Sequence, residues 1–352
     1  MNKKDFEKEK GSENDVGRND VEAKDIGMKD VETTDLSPYV SEVVEELRRD
    51  GKYPAVHIYM STLHSFAEFS GGRDVEMPME QVFTPGRLKE YEGWLIVQRG
   101  VSLNTVSTYM STLRAVYNRW MPPGSAGHNP RLFHDVHTKV VSQTKRALTR
   151  VQVRLLLCAD LTGLSREQKV IFAYFMLMFL FRGMPFVDLA HLRKKDMQGD
   201  KIVYRRHKTG RQITVRITRE AMLLIKEFGD KNPHSVYLFP ILNPKLRKGE
   251  ELYQCYQDSL CRFNRSLKQL MRILLPGVKV SSYTARHTWA TLAFHMGTPV
   301  AVIGQSLGHS SYKVTETYLK PFENEIVDKV NRDLINYIKK SELKNMAAHS
   351  IL

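Results

Sequence analysis

Three side chains in residues 281–321 have the chemistry and the order that phosphoryl transfer requires. Arg286 carries a fork of donors that matches two oxygens of a phosphate and keeps its charge near neutral pH. His309 follows Gly308 at a predicted helix end, from which its ring could donate to the same phosphate. Tyr318 comes nine positions later, and a phenol can be a nucleophile and leaving group at phosphorus. The pattern indicates covalent catalysis on a phosphodiester.

The surrounding sequence predicts three short helices that would present these side chains. Thr298 and Pro299 are typical of a helix start, and Gly297 and Gly308 are typical of helix ends. The stretch therefore reads as helix, turn, helix, tight turn and helix. Taken singly, each candidate also fits an ordinary structural role: a surface arginine, a turn histidine and a tyrosine packed on an amphipathic helix.

The joint order of these residues resembles the tyrosine recombinase (phage integrase) family. Residues 283–291 read Tyr-Thr-Ala-Arg-His-Thr-Trp-Ala-Thr, followed by Leu-Gly-His at 307–309 and then Tyr318. The family pattern is His-x-x-Arg-His-x-x-Ala-Thr, Leu-Gly-His, and a tyrosine nine residues on. The resemblance implies that Tyr318 is the nucleophile and that Arg286 and His309 bind the phosphate. Tyr283 stands where the family has its first histidine, and we expect it to act as a neutral hydrogen-bond donor.

Two further catalytic candidates follow from the same resemblance. Arg182 comes directly after the apolar stretch 170–181, where the family has the first of two phosphate-binding arginines. The acidic residue that the family places three positions later is Asp188, six positions later. Lys208 lies beside the turn of a β-hairpin predicted over 201–217, which resembles the position of the family's catalytic lysine. An arginine at a helix end and a lysine at a turn are more often plain solvated charges.

The composition favours a polyanion as partner. The chain has 352 residues, enough for two domains, and a formal net charge of +14. Residues 1–36 hold seven Lys or Arg against eleven Asp or Glu, so the remainder carries +18. The charge predicts nucleic acid or another polyanion as partner, although ribosomal, membrane-surface and plain soluble proteins can be equally basic, and the resemblance implies double-stranded DNA.

The cysteines and apolar runs indicate a cytoplasmic protein without a metal. The three cysteines (Cys158, Cys255 and Cys261) form no C-x-x-C pair, so we expect a reducing compartment and no structural zinc. The longest apolar run, 170–181, is too short to span a membrane, and the charged N-terminus does not predict a secretory signal. No cofactor is expected.

Composition also divides the chain. Asp recurs every five residues in 1–36, a period that builds no continuous apolar face, so this segment is predicted to be a disordered acidic tail. The tail could alternatively compete with DNA for the basic surface. Capping and glycine signals predict four helices in 37–125, with arginines on their outer faces. A generic bundle explains that module equally well, but the resemblance implies a core DNA-binding domain.

The predicted fold class is mainly α, with this four-helix bundle and a mainly helical catalytic domain that contains a small antiparallel β-hairpin or sheet. A linker rich in Pro, Gly and basic residues is expected over 126–147, the catalytic domain over 148–340 and a C-terminal tail over 341–352. Apolar residues recur about every four positions after Pro321, which predicts an amphipathic helix. The resemblance implies that this helix docks on a neighbouring protomer.

The resemblance implies a site-specific DNA recombinase that works through a 3′-phosphotyrosyl intermediate, in the manner of integrases and excision enzymes of mobile elements. Such an enzyme acts as a homo-oligomer on DNA, expected as a tetrameric synapse, with DNA-bending accessory proteins as further candidates. A DNA invertase and a type IB topoisomerase, which shares the chemistry without strand exchange, are alternative enzymes. A non-catalytic DNA-binding protein is the alternative outside enzymes.

Overall fold

The computed structural model describes residues 34–72, 74–139, 146–246, 248–309, 311–319, 328 and 331–336. The expectations for residues 1–33, for most of the helix after Pro321 and for the tail 341–352 lie outside the described residues. Within the described parts, two domains have separate hydrophobic cores. None of the described helices is long and apolar enough to cross a membrane.

Four long helices and one short helix form the first domain. Side-chain caps begin three of the long helices, because Asp35, Thr84 and Ser102 accept backbone N–H groups of the first turn. The helices are α1 (Leu36–Arg49), α2 (Tyr53–Ser70), α3 (Met79–Val82), α4 (Pro85–Val97) and α5 (Leu103–Trp120). The predicted bundle is therefore confirmed.

Both ends of this domain differ from the predicted boundaries. Leu36 is completely buried, and its N–H donates to the Met77 carbonyl at 2.9 Å, so residues 34–36 belong to the fold and not to the acidic tail. At the other end, Phe133 and Val136 are buried in the same core. The first part of the predicted linker therefore packs on the first domain. The Asp35 cap is a local signal for the first extension, whereas the burial of Leu36, Phe133 and Val136 depends on contacts with distant residues.

The second domain is organised around one buried helix. Its helices are α6 (Arg150–Leu157), α7 (Arg166–Leu180), α8 (Phe186–His191), α9 (Arg219–Phe228), α10 (Glu250–Leu274), α11 (Ser282–His295), α12 (Val300–Leu307) and α13 (Tyr312–Glu316). Helix α7 begins with a capping box of Ser165 and Gln168, and seven consecutive residues from Phe172 to Met178 are buried. It packs against α9, α10 and α11, which explains its apolar sequence on all sides.

Three antiparallel strands form a small sheet in the order β1, β2, β3, namely Met197–Gln198, Lys201–Arg205 and Gln212–Arg216. The predicted hairpin is β2 and β3, paired with Val203 opposite Thr214. Gly210 closes its turn at φ +65°, and its N–H donates to the Arg206 carbonyl at 2.8 Å. The fold class predicted from the sequence is confirmed by these elements.

The two domains also touch away from the linker. Arg48 Nε lies 3.3 Å from a Glu250 carboxylate oxygen, and the rings of Tyr53 and Tyr253 stack with centroids 6.1 Å apart. A cavity of about 970 Å³ opens beside these contacts, between the α1–α2 turn and the outer side of the hairpin. Just beyond the linker, the Leu148 N–H donates to the Thr288 hydroxyl on α11 at 2.9 Å.

Candidate active site

Helix α11 carries Arg286 into the interior of the second domain. The Arg286 side chain is only 2% exposed, and its guanidinium donates to two backbone carbonyls, Gly183 at 2.8 Å and Leu307 at 2.7 Å. Gly183 permits this approach, because a Cβ there would lie 2.9 Å from the Arg286 Cα. Arg286 Nε is buried without a hydrogen-bond partner among the described residues. The guanidinium is therefore fixed in direction and retains a free donor.

The turn after α12 places His309 against Arg286. Gly308 has φ +69°, and a Cβ at this position would come within 2.7 Å of the Arg206 side chain, so only glycine fits. His309 Nε2 lies 2.9 Å from Arg286 Nη2, and its Nδ1 lies 3.0 Å from the Thr315 hydroxyl. Because arginine only donates, Nε2 must accept, which leaves the imidazole proton on Nδ1.

His309 is held in the neutral state. Burial lowers its pKa to about 3, and the charges of Arg286, Arg206 and Lys208 act in the same direction. The sequence predicted a ring that donates to a phosphate. In this structure, Nε2 instead accepts from Arg286 Nη2. A bound phosphate would first have to replace Nε2 as the acceptor of that hydrogen bond, and only then could the His309 ring donate to the phosphate.

Tyr318 lies over this pair. Its ring centroid is 4.8 Å from the His309 ring and 5.2 Å from the Arg286 guanidinium carbon. The Tyr318 N–H donates to the Thr315 carbonyl at 2.9 Å, in the turn that follows α13. The three side chains that the motif singled out therefore meet in space, although 32 positions separate the first from the last.

Tyr283 joins the cluster from the first turn of α11. Its ring stacks beside Tyr318 with centroids 6.4 Å apart, and 44% of the residue is exposed. Partial burial of the ring raises the pKa of Tyr283, and the neighbouring Tyr318 phenol adds to that effect. At neutral pH the side chain is therefore an uncharged phenol whose hydroxyl can donate beside the nucleophile.

Lys208 and Arg182, the two remaining candidates, have different surroundings. Lys208 is exposed at the β2–β3 turn, as predicted, and its charge reaches His309. Arg182 has a left-handed backbone, with φ +57°, and its Nη1 donates to the Thr214 carbonyl of β3 at 3.4 Å. Burial raises the pKa of Tyr204, and the charges of Arg206, Arg286 and Arg182 all oppose that rise, so Arg182 lies within electrostatic reach of the same group as the other two arginines.

A second arginine, which the sequence analysis missed, does reach the cluster. Arg206 is 5% exposed, its Nε lies 3.3 Å from Asp188, and its Nη1 donates to the Leu307 carbonyl at 2.9 Å. A signal was available in the alternation of the strand, because Ile202 and Tyr204 face the core and Arg206 continues the same side.

The charges around the cluster are mostly positive. Arg286, Arg206 and Lys208 converge on His309, whose carbonyl also accepts from Arg211. Asp188, which accepts from Arg206 and from the His207 N–H at 2.8 Å, is the buried carboxylate beside them. In the described part of the chain, no group of three His, Cys, Asp or Glu side chains could hold a metal ion. The arrangement therefore suits an anion bound next to a tyrosine hydroxyl.

Comparisons with known proteins agree with this architecture. The profile of the phage integrase SAM-like domain matches residues 35–131, and that of the phage integrase family matches residues 146–325. Tyrosine recombinase XerA of Pyrococcus furiosus is 22% identical over 242 residues, which cover 66% of this chain and 76% of the relative.

Two solved structures share the fold. The Tn1549 transposon integrase in complex with transposon right end DNA has a TM-score of 0.55 at 14% identity, covering 86% of this chain and 100% of that one. A lambda integrase dimer bound to a COC′ core site has a TM-score of 0.56 at 14% identity, covering 81% and 77%.

A helical domain followed by a mainly helical domain with a buried arginine, a histidine and a tyrosine defines the class of tyrosine recombinases. The chain belongs to the phage integrase family, whose profile covers just over half of its length. It is an enzyme of the DNA breaking and rejoining type, and its activity is site-specific recombination.

Proposed function

We propose that the chain recombines DNA of a mobile element through a covalent 3′-phosphotyrosyl intermediate formed by Tyr318. The Tyr318 oxygen forms a bond to the scissile phosphorus, the bond from phosphorus to the 5′ oxygen breaks, and a free 5′-hydroxyl results. The phenol proton is released to solvent, and Lys208 donates a proton to the leaving oxygen. The phosphotyrosine conserves the energy of the diester, so rejoining by another 5′-hydroxyl needs no nucleotide.

The observation that carries this proposal is the position of Tyr318 against Arg286. A half-buried phenol 5.2 Å from a buried guanidinium, next to a neutral imidazole, lies where a phosphate bound by that guanidinium would come into reach. Fixed positive groups in a site with little water stabilise the charge on a pentavalent phosphorus most effectively. Arg286 would hold two phosphate oxygens, and its Nε has no hydrogen-bond partner in the part of the chain that the structure describes.

The partner under this proposal is double-stranded DNA bound between the two domains. Residues 37–352 carry a net charge of +18, and the Tn1549 and lambda integrase structures contain DNA. Strand exchange between two duplexes needs one nucleophile for each of four strands, so the functional unit would be a tetramer. An invertase would use the same assembly, whereas a type IB topoisomerase would relax supercoils as a monomer without recombinant product.

The decisive experiment traps the covalent adduct. The DNA that flanks the gene is first searched for repeats that could be the recombination site. A nicked duplex that carries such a site should give a protein–DNA band on a denaturing gel, because the short released strand diffuses away. Tyr318→Phe should abolish this band and leave DNA binding in a gel shift nearly unchanged. Tyr312→Phe is the matched control, since Tyr312 lies three positions after His309. If Tyr312→Phe removes the adduct and Tyr318→Phe retains it, the assignment is wrong; if wild type forms none, a non-catalytic DNA-binding role is favoured.

A further inference from the structure

We propose that Thr315 is a positioning residue for the cleavage reaction, because its hydroxyl holds the His309 ring by Nδ1 and keeps Nε2 toward Arg286 and the phosphate bound there. The proposal rests on the recombinase mechanism above and deepens it, since it names the group that lets a neutral imidazole become a donor to the phosphate. The sequence analysis did not single out Thr315, which lies between His309 and Tyr318 in the chain.

The contacts of Thr315 connect the histidine with the nucleophile. Thr315 is fully buried on α13, and its hydroxyl oxygen lies 3.0 Å from His309 Nδ1. Its carbonyl accepts the Tyr318 N–H at 2.9 Å, in the turn that leads to the nucleophile. One residue therefore contacts the ring of His309 through its side chain and the backbone of Tyr318 through its carbonyl. The place of Thr315 on α13 thus relates the position of the imidazole to that of the tyrosine.

Helix α12 leaves room for this hydroxyl at Gly304. A Cβ at Gly304 would lie 2.7 Å from the Thr315 hydroxyl oxygen, so a larger residue there would displace Thr315. The Gly304 carbonyl also accepts the His309 N–H at 2.9 Å. One position of α12 therefore places both the backbone of His309 and the hydroxyl that meets its ring. The close packing of α12 and α13 brings that hydroxyl within hydrogen-bond distance of Nδ1.

A hydroxyl suits this position because it can either accept or donate a hydrogen bond. In the structure, His309 Nε2 accepts from Arg286, so the ring proton is on Nδ1 and is directed at the Thr315 oxygen. The Thr315 hydroxyl itself donates to the Ser311 carbonyl at 3.4 Å. Once a phosphate replaces Nε2 as the acceptor of Arg286, Nε2 must carry the proton in order to donate to that phosphate. Nδ1 is then an acceptor, and the Thr315 hydroxyl can rotate to donate to it.

This exchange leaves the charge of the imidazole unchanged. One proton leaves Nδ1 for water and one proton from water binds Nε2, so the ring stays neutral. A second proton on the ring without release of the first is disfavoured, since burial and the nearby positive charges lower the pKa of His309. A side chain without a hydroxyl at position 315 would remove this partner of Nδ1 in both forms of the ring, and the direction of Nε2 would no longer be fixed.

The first test compares Thr315→Val with Thr315→Ser in single-turnover cleavage of the nicked duplex. Valine keeps the branched shape and removes the hydroxyl, so we expect cleavage to slow by about 10- to 100-fold. Serine keeps the hydroxyl, and its rate should stay within about threefold of wild type. Gel shifts and thermal unfolding of both variants check that binding and folding are retained. A rate for Thr315→Val equal to or above that of Thr315→Ser would assign Thr315 to packing alone and overturn the proposal.

A measurement on wild-type protein covers the case in which Thr315→Val does not fold. Nitrogen NMR shifts of isotope-labelled histidines report which ring nitrogen carries the proton, and His309→Gln identifies the His309 signals. Free protein should carry the proton on Nδ1, and protein bound to an intact duplex with the recombination site should carry it on Nε2. A bound ring with the proton still on Nδ1, or with protons on both nitrogens, would overturn the proposal. Failure of wild-type protein to form any adduct would count against the proposed mechanism itself, and is thereby distinguished from failure of the Thr315 assignment.

Discussion

The two domains bury charge in different ways. In the first domain, the buried carboxylate Glu92 accepts from Lys89 Nζ at 2.6 Å and from the His137 N–H at 2.6 Å. These contacts tie the start of the linker to the bundle. In the second domain, Arg286 and Arg206 are both buried, and among the described residues only Arg206 has a carboxylate partner, Asp188. In the first domain the buried carboxylate is paired by groups of the chain itself. In the second domain the buried groups carry excess positive charge, which a bound anion can neutralise.

This difference indicates that buried charge in the first domain contributes to folding stability, whereas buried charge in the second domain lowers it. The first core is rich in aromatic rings, such as Phe66 packed edge-on against Tyr91 with centroids 4.9 Å apart. Burial of an arginine without a carboxylate partner costs free energy, and carbonyl acceptors recover only part of that cost. Among the described residues no carboxylate pairs with Arg286. Its burial is therefore expected to serve the reaction more than the fold.

The largest predicted effect is that of Arg286→Met. Cleavage of the nicked duplex should fall by about a thousandfold or more, because a bidentate charge on the phosphate is lost. The free energy of unfolding in urea should stay within about 1 kcal/mol of wild type or rise, since a buried charge is replaced by an apolar chain of similar length. Single-turnover cleavage and urea titrations measure the two quantities.

Phe66→Ala in the first domain is the matched control for that prediction. Phe66 is fully buried, so its truncation should cost about 3 to 5 kcal/mol of stability. If Arg286→Met loses as much stability as Phe66→Ala, the proposed difference between the two domains is wrong. Arg286 would then contribute to the stability of the second domain as much as a core residue does to the first.

Sequence reasoning succeeded where the determining contacts are local. The start of α5 was readable from Ser102, whose side chain accepts from the Thr105 N–H, and the buried helix α7 was readable from its apolar run. The turn at Gly210 and the exposed Lys208 beside it followed from the hairpin pattern. The meeting of Arg286 and Tyr318 was predicted from the motif, and their contact in space agrees with it.

Sequence reasoning failed where contacts between residues far apart in the sequence determine the position of a side chain. Arg206 is defined by Asp188, 18 positions away, and by the Leu307 carbonyl, 101 positions away. The alternation of β2 indicates that Arg206 faces the core, but neither separation produces a pattern that would identify its partners. The catalytic role of Arg182 stays a prediction, and the sequence did not indicate its left-handed backbone or the contact of its Nη1 with the Thr214 carbonyl of β3. The direction of one side chain at a chain reversal depends on tertiary packing, which spacing alone does not encode.

A smaller effect is expected for Tyr283→Phe. The hydroxyl lies beside Tyr318 on a partly exposed ring, so its removal should slow cleavage by roughly ten- to a hundredfold, the loss of one hydrogen bond to a charged group. Stability should be unaltered, in contrast to the buried core of the first domain, because an exposed hydroxyl contributes little to folding. Single-turnover cleavage of the same nicked duplex provides the measurement. A wild-type rate would show that Tyr283 serves only to pack the start of α11.

The smallest effect is expected from deletion of the acidic segment that precedes the first domain. The same experiment tests where the first domain begins. Residues 1–33 hold seven Lys or Arg against ten Asp or Glu, a net charge of −3, and lie outside the described residues. Their deletion should leave thermal unfolding unchanged. It should also strengthen binding to a random-sequence duplex by roughly two- to threefold at low salt, because removal of negative charge reduces repulsion that salt would otherwise screen.

Deletion of residues 1–36 is the matched comparison for that last prediction, because it removes Asp35 and Leu36 as well. Asp35 caps α1 through the Ser37 N–H at 2.9 Å, and Leu36 is completely buried. Loss of the cap and of one buried leucine should lower the unfolding free energy by roughly 2 to 4 kcal/mol. Equal stability of the two deletions would move the boundary of the first domain beyond Leu36. Weaker binding to the duplex after deletion of residues 1–33 would instead show that the acidic segment contacts DNA, since lost contacts would then outweigh the relief of repulsion.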